Sequence, residues 1–502
     1  MRVTYISHAC LLVETEDACL VCDPWLAGPA YADQWNVFPK PVDTAAVERA
    51  QFILISHGHE DHLHDKTLRS IRKDKTLYYP YYWYDGTFSY LSSLGFRRTV
   101  EAKSRKTYRL SPKTRVTFIV NGQDSVIVLE DSREVLVNCN DALHASDSRL
   151  IELYTRIIKD RWPKIDMAFC SFASASYFPN AFRCSGKDDA AIGRLREQLY
   201  VQNFCNIIER LAPTIAVPFA ADFVLLAKRQ LWINAVRFRR EEISSYYARY
   251  FGQHSDSPRI AVMYPGDRIV DKTLLPSSQY RLATAEGSRE GLLAAQYPEP
   301  ISAFSRNTVH QMCLRQIGAI LEDHLANEVR HYPQRTVAHL RFSVRLLDLA
   351  DQGWLNVSIA NRIARVSVGD QAGSEAMALI ETTSDILLNS LSTDWGGDAL
   401  IIGYACEISI LGPQFAGQAR ICAELLTRYP RPVSYAMRHP TRAIRYLLQS
   451  LPAVKVRGVH RLRGLAGKGI VATQPSMSSN AWLVGDEHAI REGYALPNYP
   501  VT

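Results

Sequence analysis

A run of histidines and acids directly after an apolar segment constrains this chain more than any other feature. Phe52-Ile53-Leu54-Ile55 has the pattern of a short buried strand, and the polar residues Ser56 to His64 follow it without a spacer. Imidazoles at alternate positions cannot share one face of a helix, but on a tight loop at a strand end they can converge on one point. Convergent histidine and aspartate side chains bind divalent metal ions. The segment therefore predicts a metal site, and a solvated polar loop is the competing interpretation.

The composition is that of an ordinary globular protein. The 502 residues are 47% hydrophobic and 22% charged, enough for two or three domains and a large core. The net charge of +7 is spread along the chain, and no basic and aromatic stretch predicts nucleic-acid binding. No window approaches the roughly 20 apolar residues of a membrane span, and no secretory signal is evident. Ten scattered cysteines suit buried thiols in a reducing compartment, so we expect a cytoplasmic protein that does not bind a membrane.

The order of strand and helix patterns predicts two domains. Early strands are followed by strand–helix alternation, which suits an α/β arrangement of two packed sheets flanked by helices over residues 1–275. Residues 276–300 are polar and irregular and predict a linker. Residues 301–502 predict a smaller α+β domain that faintly resembles a sterol-carrier-like domain, with packing or oligomerisation as the simpler role. A homo-oligomer is therefore one expectation.

An aromatic loop lies between the second strand pattern and the apolar segment. It contains Trp25, Tyr31 and Trp35 together with proline and glycine, and long ordered loops of this kind often border pockets. We predict that these three side chains contact a small-molecule substrate and shield the site from water.

Several stretches give the first half of the chain a family resemblance. His57, His59, Asp61 and His62 match the HxHxDH signature of the metallo-β-lactamase superfamily. Within it, the chain looks most similar to the metallo-β-lactamase-like domain of the CMP-N-acetylneuraminic acid hydroxylases, through the histidine segment and the stretches 22–30, 173–179 and 217–220. The resemblance implies an αββα sandwich with a metal held at one edge.

The resemblance also implies which residues form the site. The implied metal ligands are His57, His59, Asp61, His62 and Asp141, with Asn140 as the fallback for Asp141 if the register shifts. Asp61 and His8 are the implied catalytic residues. His64 lies outside the signature, and we expect it to support the ligands or to face solvent.

Two histidines that the superfamily usually has are missing. The first would lie near residues 121–124, where Asp124, Gln123 or the out-of-register His144 could substitute. The second would lie near residues 217–220, where only Asp222 is close, and we assign Asp222 to substrate binding. A ligand set rich in carboxylates suits iron or manganese better than zinc.

Three classes of function follow from these observations. The resemblance implies a non-haem iron oxygenase, with one or two ions, that hydroxylates or N- or C-oxidises a small polar or carrier-bound metabolite in a biosynthetic pathway. A Rieske cluster needs Cys-x-His-type ligand pairs, and this sequence contains none, so a separate Rieske or ferredoxin electron donor is expected. The alternative is a zinc or manganese hydrolase that attacks an ester, lactone, amide or phosphodiester with a metal-bound water. A metal-stabilised binding protein would instead have full ligation.

Overall fold

The computed structural model describes residues 1–173, 179–252, 254–255, 257–281, 289–298, 312–457 and 480–499. Residues 174–178, which fall within one of the stretches of family resemblance, and residues 282–288 and 299–300 of the expected linker lie outside the described residues.

The first sheet has eight strands. Their bounds are β1 Arg2–Ser7, β2 Cys10–Glu14, β3 Cys19–Cys22, β5 Phe52–Leu54, β6 Thr76–Pro80, β7 Arg98–Ala102, β17 Arg268–Val270 and β18 Thr273–Leu275. The order is β18-β17-β1-β2-β3-β5-β6-β7. Strands β1 to β3 form an antiparallel meander, and β5, β6 and β7 continue it in parallel. The ends of β3 and β5 therefore lie side by side at one edge of this sheet.

The second sheet has seven strands and packs against the first. Its strands are β8 Thr107–Arg109, β9 Arg115–Asn121, β10 Asp124–Glu130, β11 Val135–Asn140, β12 Met167–Ser171, β14 Ile215–Phe219 and β16 Arg259–Ile260. They follow the order β16-β14-β12-β11-β10-β9-β8. Apolar side chains of both sheets, among them Leu11, Phe118 and Val217, are fully buried in one shared core. Such close packing of two inner faces is what a sheet-on-sheet sandwich requires.

Helices cover both outer faces. The first sheet is covered by Asp65–Ser70, Gly86–Ser93 and the 3-10 helix Thr44–Arg49, and the second by Ser148–Arg161, Asp189–Leu211 and Ile243–Tyr250. Asp147 and Asp188 start the two long helices, since each side chain accepts a hydrogen bond from a backbone N–H of the first turn. The predicted αββα sandwich is confirmed.

A third, six-stranded sheet organises the later part of the chain. Its strands are β13 Phe182–Cys184, β19 His339–Leu346, β20 Trp354–Ala360, β21 Ile363–Gly369, β22 Ala378–Thr382 and β23 Glu407–Ile410, in the order β13-β23-β22-β19-β20-β21. The two remaining strands, β4 Trp35–Val37 and β15 Phe223–Leu225, pair with each other.

Helices accompany this sheet and complete the chain. Their bounds are Arg289–Gln296, Leu314–Glu328, Ser384–Ser392, Gly397–Ile401, Ala416–Leu425, Pro432–Arg438, Pro440–Arg457, Asn480–Val484 and Glu487–Tyr494, and the short helix Leu231–Ala235 precedes them. Further 3-10 turns lie at 228–230, 240–242, 329–331, 334–336, 347–352 and 413–415.

Two features differ from the expected domain division. Strand β13 comes from within residues 1–275 but pairs with β23, so the third sheet is not built from residues 301–502 alone. Residues 289–296 of the expected linker form a helix, and Leu292, Leu293 and Tyr297 pack against Phe38. The expectation of an irregular linker is wrong for this helix, because its apolar side chains find a partner surface that composition does not reveal.

Candidate metal centre

The candidate centre lies at the edge of the sandwich where strands of both sheets end. His8, Asp23, Asn140 and Ala220 each directly follow or close a strand, and their φ angles are 40°, 41°, 37° and 53°. These left-handed backbone conformations are uncommon for residues other than glycine and concentrate at functional sites. They turn the chain abruptly at four strand ends, which brings side chains from distant parts of the sequence together.

The structure brings all five predicted ligands into one cluster, in which all but the half-buried His59 are buried. Three groups that share residues can be distinguished, and within each group the ligand atoms lie within 4.8 Å of one another. They are His57 with His62 and Asp141, His57 with His59 and Asp124, and His8 with Asp61 and His62. Asp124, Gln123 and His144 were the candidate substitutes for the histidine missing near residues 121–124, and of these Asp124 is the one that joins a group.

Asp23 fixes the orientation of His62. Its carboxylate accepts hydrogen bonds from the backbone N–H and the hydroxyl of Ser56, each at 2.7 Å, and from Nδ1 of His62 at 2.9 Å. Because a carboxylate only accepts, Nδ1 of His62 carries the proton and Nε2 is left as the ligand atom. Nε2 lies 3.6 Å from Oδ2 of Asp61 and 3.5 Å from Oδ2 of Asp141.

Asp61 is held from both sides. The hydroxyl of Tyr31 donates to Oδ1 at 2.5 Å, and Nε2 of His8 lies 2.9 Å from Oδ2. The backbone N–H of Asp222 donates to Nδ1 of His8 at 3.1 Å, so the proton of neutral His8 is on Nε2 and is donated to Asp61. His8 thus positions Asp61 and is not itself a free ligand in this arrangement.

His57 and His59 face each other beside Asp124. Nε2 of His57 lies 2.9 Å from Nδ1 of His59 and 3.8 Å from Oδ1 of Asp124. Nδ1 of His57 is 2.9 Å from the hydroxyl of Ser56, and Nε2 of His59 is 3.2 Å from Nε2 of Gln123. Two imidazole nitrogens and a carboxylate oxygen therefore converge at the turn between β9 and β10.

Burial and charge set the protonation of the cluster. Burial lowers the pKa of His57 well below its ordinary value and that of His59 to about 4, which keeps both imidazoles neutral and able to bind a metal. Burial opposes a charge on His62, but Asp61, Asp141 and Asp23 outweigh it and raise the pKa of His62. Burial alone would raise the pKa of Asp61, yet His62 and the hydrogen bond from His8 lower it. The carboxylates of Asp61 and Asp141 are ionised, and protonated His62 balances their charge when no metal ion is bound.

The residues fit a bound metal ion. Nε2 of His62, Oδ1 of Asp141 and Nε2 of His144 are buried and have no hydrogen-bond partner among the described residues. Buried polar atoms are nearly always satisfied, so the two of these atoms that belong to the cluster, on His62 and Asp141, call for a ligand. The donors are imidazole nitrogens and carboxylate oxygens, which suit iron, manganese or zinc.

The other predicted site residues lie elsewhere. Trp25, Tyr31 and Trp35 have no exposed surface, and Trp35 stacks on Phe223 with ring centroids 3.5 Å apart. The prediction that they contact substrate is wrong in this structure, because the loop packs into the core of the third sheet. Tyr31 reaches the centre through its hydrogen bond to Asp61, and the ring of Trp25 packs edge-on against His8 with ring centroids 5.2 Å apart.

Three polar residues also have roles other than those expected. Asp222 is 2% exposed and binds Tyr5 and Arg240, so its carboxylate is a buried ion-pair partner and not a substrate contact. Asn140 accepts from the backbone N–H of Asp141 and donates to the carbonyl of Ser125, which leaves Asp141 as the ligand candidate. His64 is 1% exposed, caps the helix Asp65–Ser70 and lies 3.2 Å from the carbonyl oxygen of Pro29, so it does not face solvent.

A cavity of about 330 Å³ opens onto the cluster. His57, His59 and Gln123 form its floor, and the other lining residues are Gly58, Leu63, Tyr79, Tyr82, Tyr84, Gly86, Thr87, Tyr90, Asp394, Trp395 and Asp398. The walls thus combine the tyrosine-rich segment after β6 with residues from the turn before the helix Gly397–Ile401. This is a suitable size and position for a small substrate beside the metal.

Sequence reasoning missed Asp23, which orients His62, and Asp398, which lines the cavity. Asp23 follows β3 and Ser56 follows β5, and these strands are parallel neighbours. The acid at the end of β3 could therefore have been predicted to contact the residue that follows β5. Asp398 comes from a distant part of the chain, and no local pattern marks it.

Comparison with known proteins agrees with this architecture. Residues 2–138 match the model described as "Beta-lactamase superfamily domain". A Mycobacterium tuberculosis protein that carries the name Rieske 2Fe-2S iron-sulfur protein is 26% identical over 247 residues, which are 47% of this chain and 46% of that protein. Mouse cytidine monophosphate-N-acetylneuraminic acid hydroxylase is 26% identical over 242 residues, 45% of this chain and 39% of that enzyme. The similarity therefore spans less than half of each relative.

Solved structures match this chain at low identity and low TM-score. CmlA, a diiron β-hydroxylase from Streptomyces venezuelae, is 16% identical, with a TM-score of 0.36 over 55% of this chain and 54% of that one. An isothiocyanate hydrolase from Delia radicum gut bacteria is 13% identical, with a TM-score of 0.37 over 54% of this chain and 98% of that one. No helix among the described residues is long and apolar enough to cross a membrane. The resemblance to the metallo-β-lactamase superfamily is confirmed by the match of residues 2–138 to the β-lactamase superfamily model.

Proposed function

We propose that this chain is a non-haem iron-dependent oxygenase that hydroxylates or N- or C-oxidises a small metabolite. The observation that carries the proposal is the donor set. Near residues 121–124, where hydrolases of this superfamily usually have a histidine, the cluster has Asp124, and residues 217–220 contain no histidine; Asp124 and Asp141 thus join His57, His59, Asp61 and His62. Oxygen-rich ligation favours iron or manganese over zinc. The similarity to the cytidine monophosphate-N-acetylneuraminic acid hydroxylases supports the same choice.

The residues of this chain would hold one or two iron ions and control their surroundings. His57, His59, His62 and the carboxylates of Asp61, Asp124 and Asp141 are the ligand candidates. Asp23 orients His62, whereas His8 and Tyr31 orient Asp61 through hydrogen bonds. Bound iron would supply the activation of dioxygen. The cavity would hold the substrate next to His57 and His59, and the buried surroundings of these histidines would exclude bulk water.

An oxygenase of this kind needs electrons from outside the described site. The 502 residues contain no Cys-x-His pair that could ligate a Rieske cluster. Relatives that carry the Rieske 2Fe-2S name support a separate Rieske or ferredoxin protein as the donor. We expect reduction by such a donor to be required for turnover.

The alternative is a metal-dependent hydrolase. In that case Asp61, held ionised by His8 and Tyr31, would accept a proton from a metal-bound water that attacks an ester, lactone, amide or phosphodiester. The superfamily contains both chemistries, so the metal decides between them.

Metal analysis of protein purified without oxygen tests the proposal. We expect iron at one or two ions per chain, a Mössbauer spectrum of protein-bound iron, and dioxygen consumption that depends on an added ferredoxin or Rieske donor. Stoichiometric zinc with esterase activity and no dioxygen consumption would overturn it.

A pair of alanine variants tests the site itself. His59→Ala should lose most of the bound metal, since it removes one of the converging nitrogens. His488→Ala is the matched control, because this side chain is 83% exposed on the helix Glu487–Tyr494. Equal metal content in the two variants would refute the centre.

A further inference from the structure

The cavity beside the metal centre has aromatic walls. Tyr79, Tyr82, Tyr84, Tyr90 and Trp395 line it, opposite the imidazoles of His57 and His59. Tyr84 and Trp395 lie with their ring centroids 6.1 Å apart and their planes inclined by 58°. Five aromatic side chains therefore line one small space. Organic cations bind the faces of aromatic rings through cation–π attraction.

The charged residues of the cavity are acidic. Asp394 and Asp398 line it, and Glu60 joins both of them in an adjoining depression. No lysine or arginine is among the described residues that line either space. Arg428 contacts Asp394 at 3.2 Å from the outside, where its side chain is 51% exposed. An anionic ligand would therefore meet carboxylates and no cationic side chain among the described lining residues.

Asp398 is the acid best placed to bind a cation inside the cavity. The hydroxyl of Tyr429 donates to its Oδ1 at 3.1 Å, which holds the side chain in one orientation. Burial, with smaller contributions from the negative charges of Glu60 and Asp61, raises the pKa of Asp398 to about 8. A positive charge beside Asp398 would remove this electrostatic penalty.

We propose that the cavity binds a small organic cation, most simply a primary amine. Its ammonium group would contact Asp398 and the aromatic walls, and its carbon skeleton would point toward His57 and His59. The proposal rests on the proposed function, because it names the substrate class of that same site. It separates this chain from enzymes that bind phosphorylated or carboxylated compounds through arginine or lysine side chains.

Binding of three probes of nearly equal shape tests the proposal. Phenethylamine, 2-phenylethanol and 3-phenylpropanoate share one ring and a two-carbon arm but differ in charge. Titration calorimetry on the metal-loaded full chain at neutral pH should show phenethylamine binding at least tenfold tighter than 2-phenylethanol, with no binding of 3-phenylpropanoate. Equal or tighter binding of the alcohol or the acid would overturn the proposal.

Variants locate the binding in the cavity. Asp398→Asn should weaken phenethylamine at least tenfold and leave 2-phenylethanol unchanged, whereas the exposed Asp370→Asn should change neither. Trp395→Leu should weaken phenethylamine, and Trp395→Phe, which keeps a ring, should preserve it. If Asp398→Asn does not fold, the Trp395 pair decides, and equal affinities of that pair would overturn the proposal.

Metal content and dioxygen consumption of the same samples separate the two proposals. Iron and donor-dependent dioxygen consumption without a preference for the amine would refute the cation site alone. A clear preference for the amine in a protein that binds zinc and consumes no dioxygen would refute the oxygenase alone.

Discussion

Asp23 shows how a residue that touches no substrate can determine the metal site. It accepts hydrogen bonds from Ser56 and His62 in a fully buried position, and so sets which nitrogen of His62 is free. The same device, a carboxylate behind a histidine ligand, is common in metalloproteins and makes the ligand more basic.

Replacing this acid should weaken metal binding without removing a ligand. We expect Asp23→Asn to lower metal affinity by about 10- to 100-fold, because the amide cannot supply the negative charge behind His62. Competition with a chelator measures the change, and Asp370→Asn on the exposed surface is the control. An unchanged affinity would show that His62 is oriented by other contacts.

The raised pKa of Asp398 predicts that the stability of the folded protein falls as the pH rises. Its pKa is about 8 in the folded chain and 3.8 ordinarily, so between these values the unfolded chain releases a proton that the folded chain keeps. The group therefore costs stability increasingly from about pH 4 to about pH 8. Without ligand, Asp398→Asn should melt higher than the parent protein at pH 8 but not at pH 4. A difference in melting temperature that is constant across this range would contradict the raised pKa.

Local spacing predicted part of the site and could not predict the rest. His57, His59, Asp61 and His62 lie within six positions after one strand, so their convergence follows from the loop alone. The contributions of Asp23 and Asp124 depend on which strands are neighbours and on a two-residue turn at Gly122 and Gln123. Trp25 and Trp35 were misassigned because an aromatic loop has the same pattern whether it lines a pocket or fills a core.

The helix Pro440–Arg457 is the element that joins the later part of the chain to the cavity wall. Arg442 pairs with Glu101, the hydroxyl of Tyr446 donates to the carbonyl of Gly122 at 2.8 Å, and the amide of Gln449 donates to the carbonyl of Tyr81 at 2.9 Å. These contacts hold the helix against the turn after β9 and the tyrosine-rich segment after β6.

Loss of the ion pair should loosen this docking. Arg442→Ala leaves the half-buried carboxylate of Glu101 without its partner, which costs on the order of 1–3 kcal/mol of unfolding free energy. Arg445→Ala on the exposed side of the same helix is the control. Urea denaturation measures both, and equal midpoints would show that the pair contributes nothing.

Element prediction succeeded where patterns were long. The strands β9 to β11 alternate with short turns and are readable from the sequence, as are the long helices that Asp147 and Asp188 cap. Strand β13 has three residues, and its partner β23 lies far along the chain. So short a strand is stabilised by its pairing with β23, so its own three residues do not predict it from the sequence.

At the scale of the whole molecule, the two parts of the chain share a core. The apolar core of the third sheet includes Trp25, Trp35, Phe182 and Phe223 from the first part together with Phe342 and Ile380 from the second. Residues 1–275 alone would therefore leave apolar surface exposed. We infer that the parts on either side of the expected boundary do not fold independently.

This shared core predicts joint unfolding. In urea, tryptophan fluorescence and far-ultraviolet circular dichroism should change together in one transition, because neither part keeps its core alone. Two separated transitions would show that the parts are independently stable. The parent protein should be compared with Arg442→Ala, which loosens one contact between the parts without touching the shared core.

The cavity also determines how a metal ion can reach its ligands. His57, His62 and Asp61 are almost fully buried, and the cavity is the opening onto His57 and His59. Its outer wall, with Trp395 and Asp398, belongs to a part of the chain synthesised long after the ligand-bearing loop. The ligand-bearing loop is therefore synthesised before that wall, and in the finished protein we expect metal and substrate to enter through this same cavity. An occupied cavity should then trap the ion, and phenethylamine should slow its removal by a chelator.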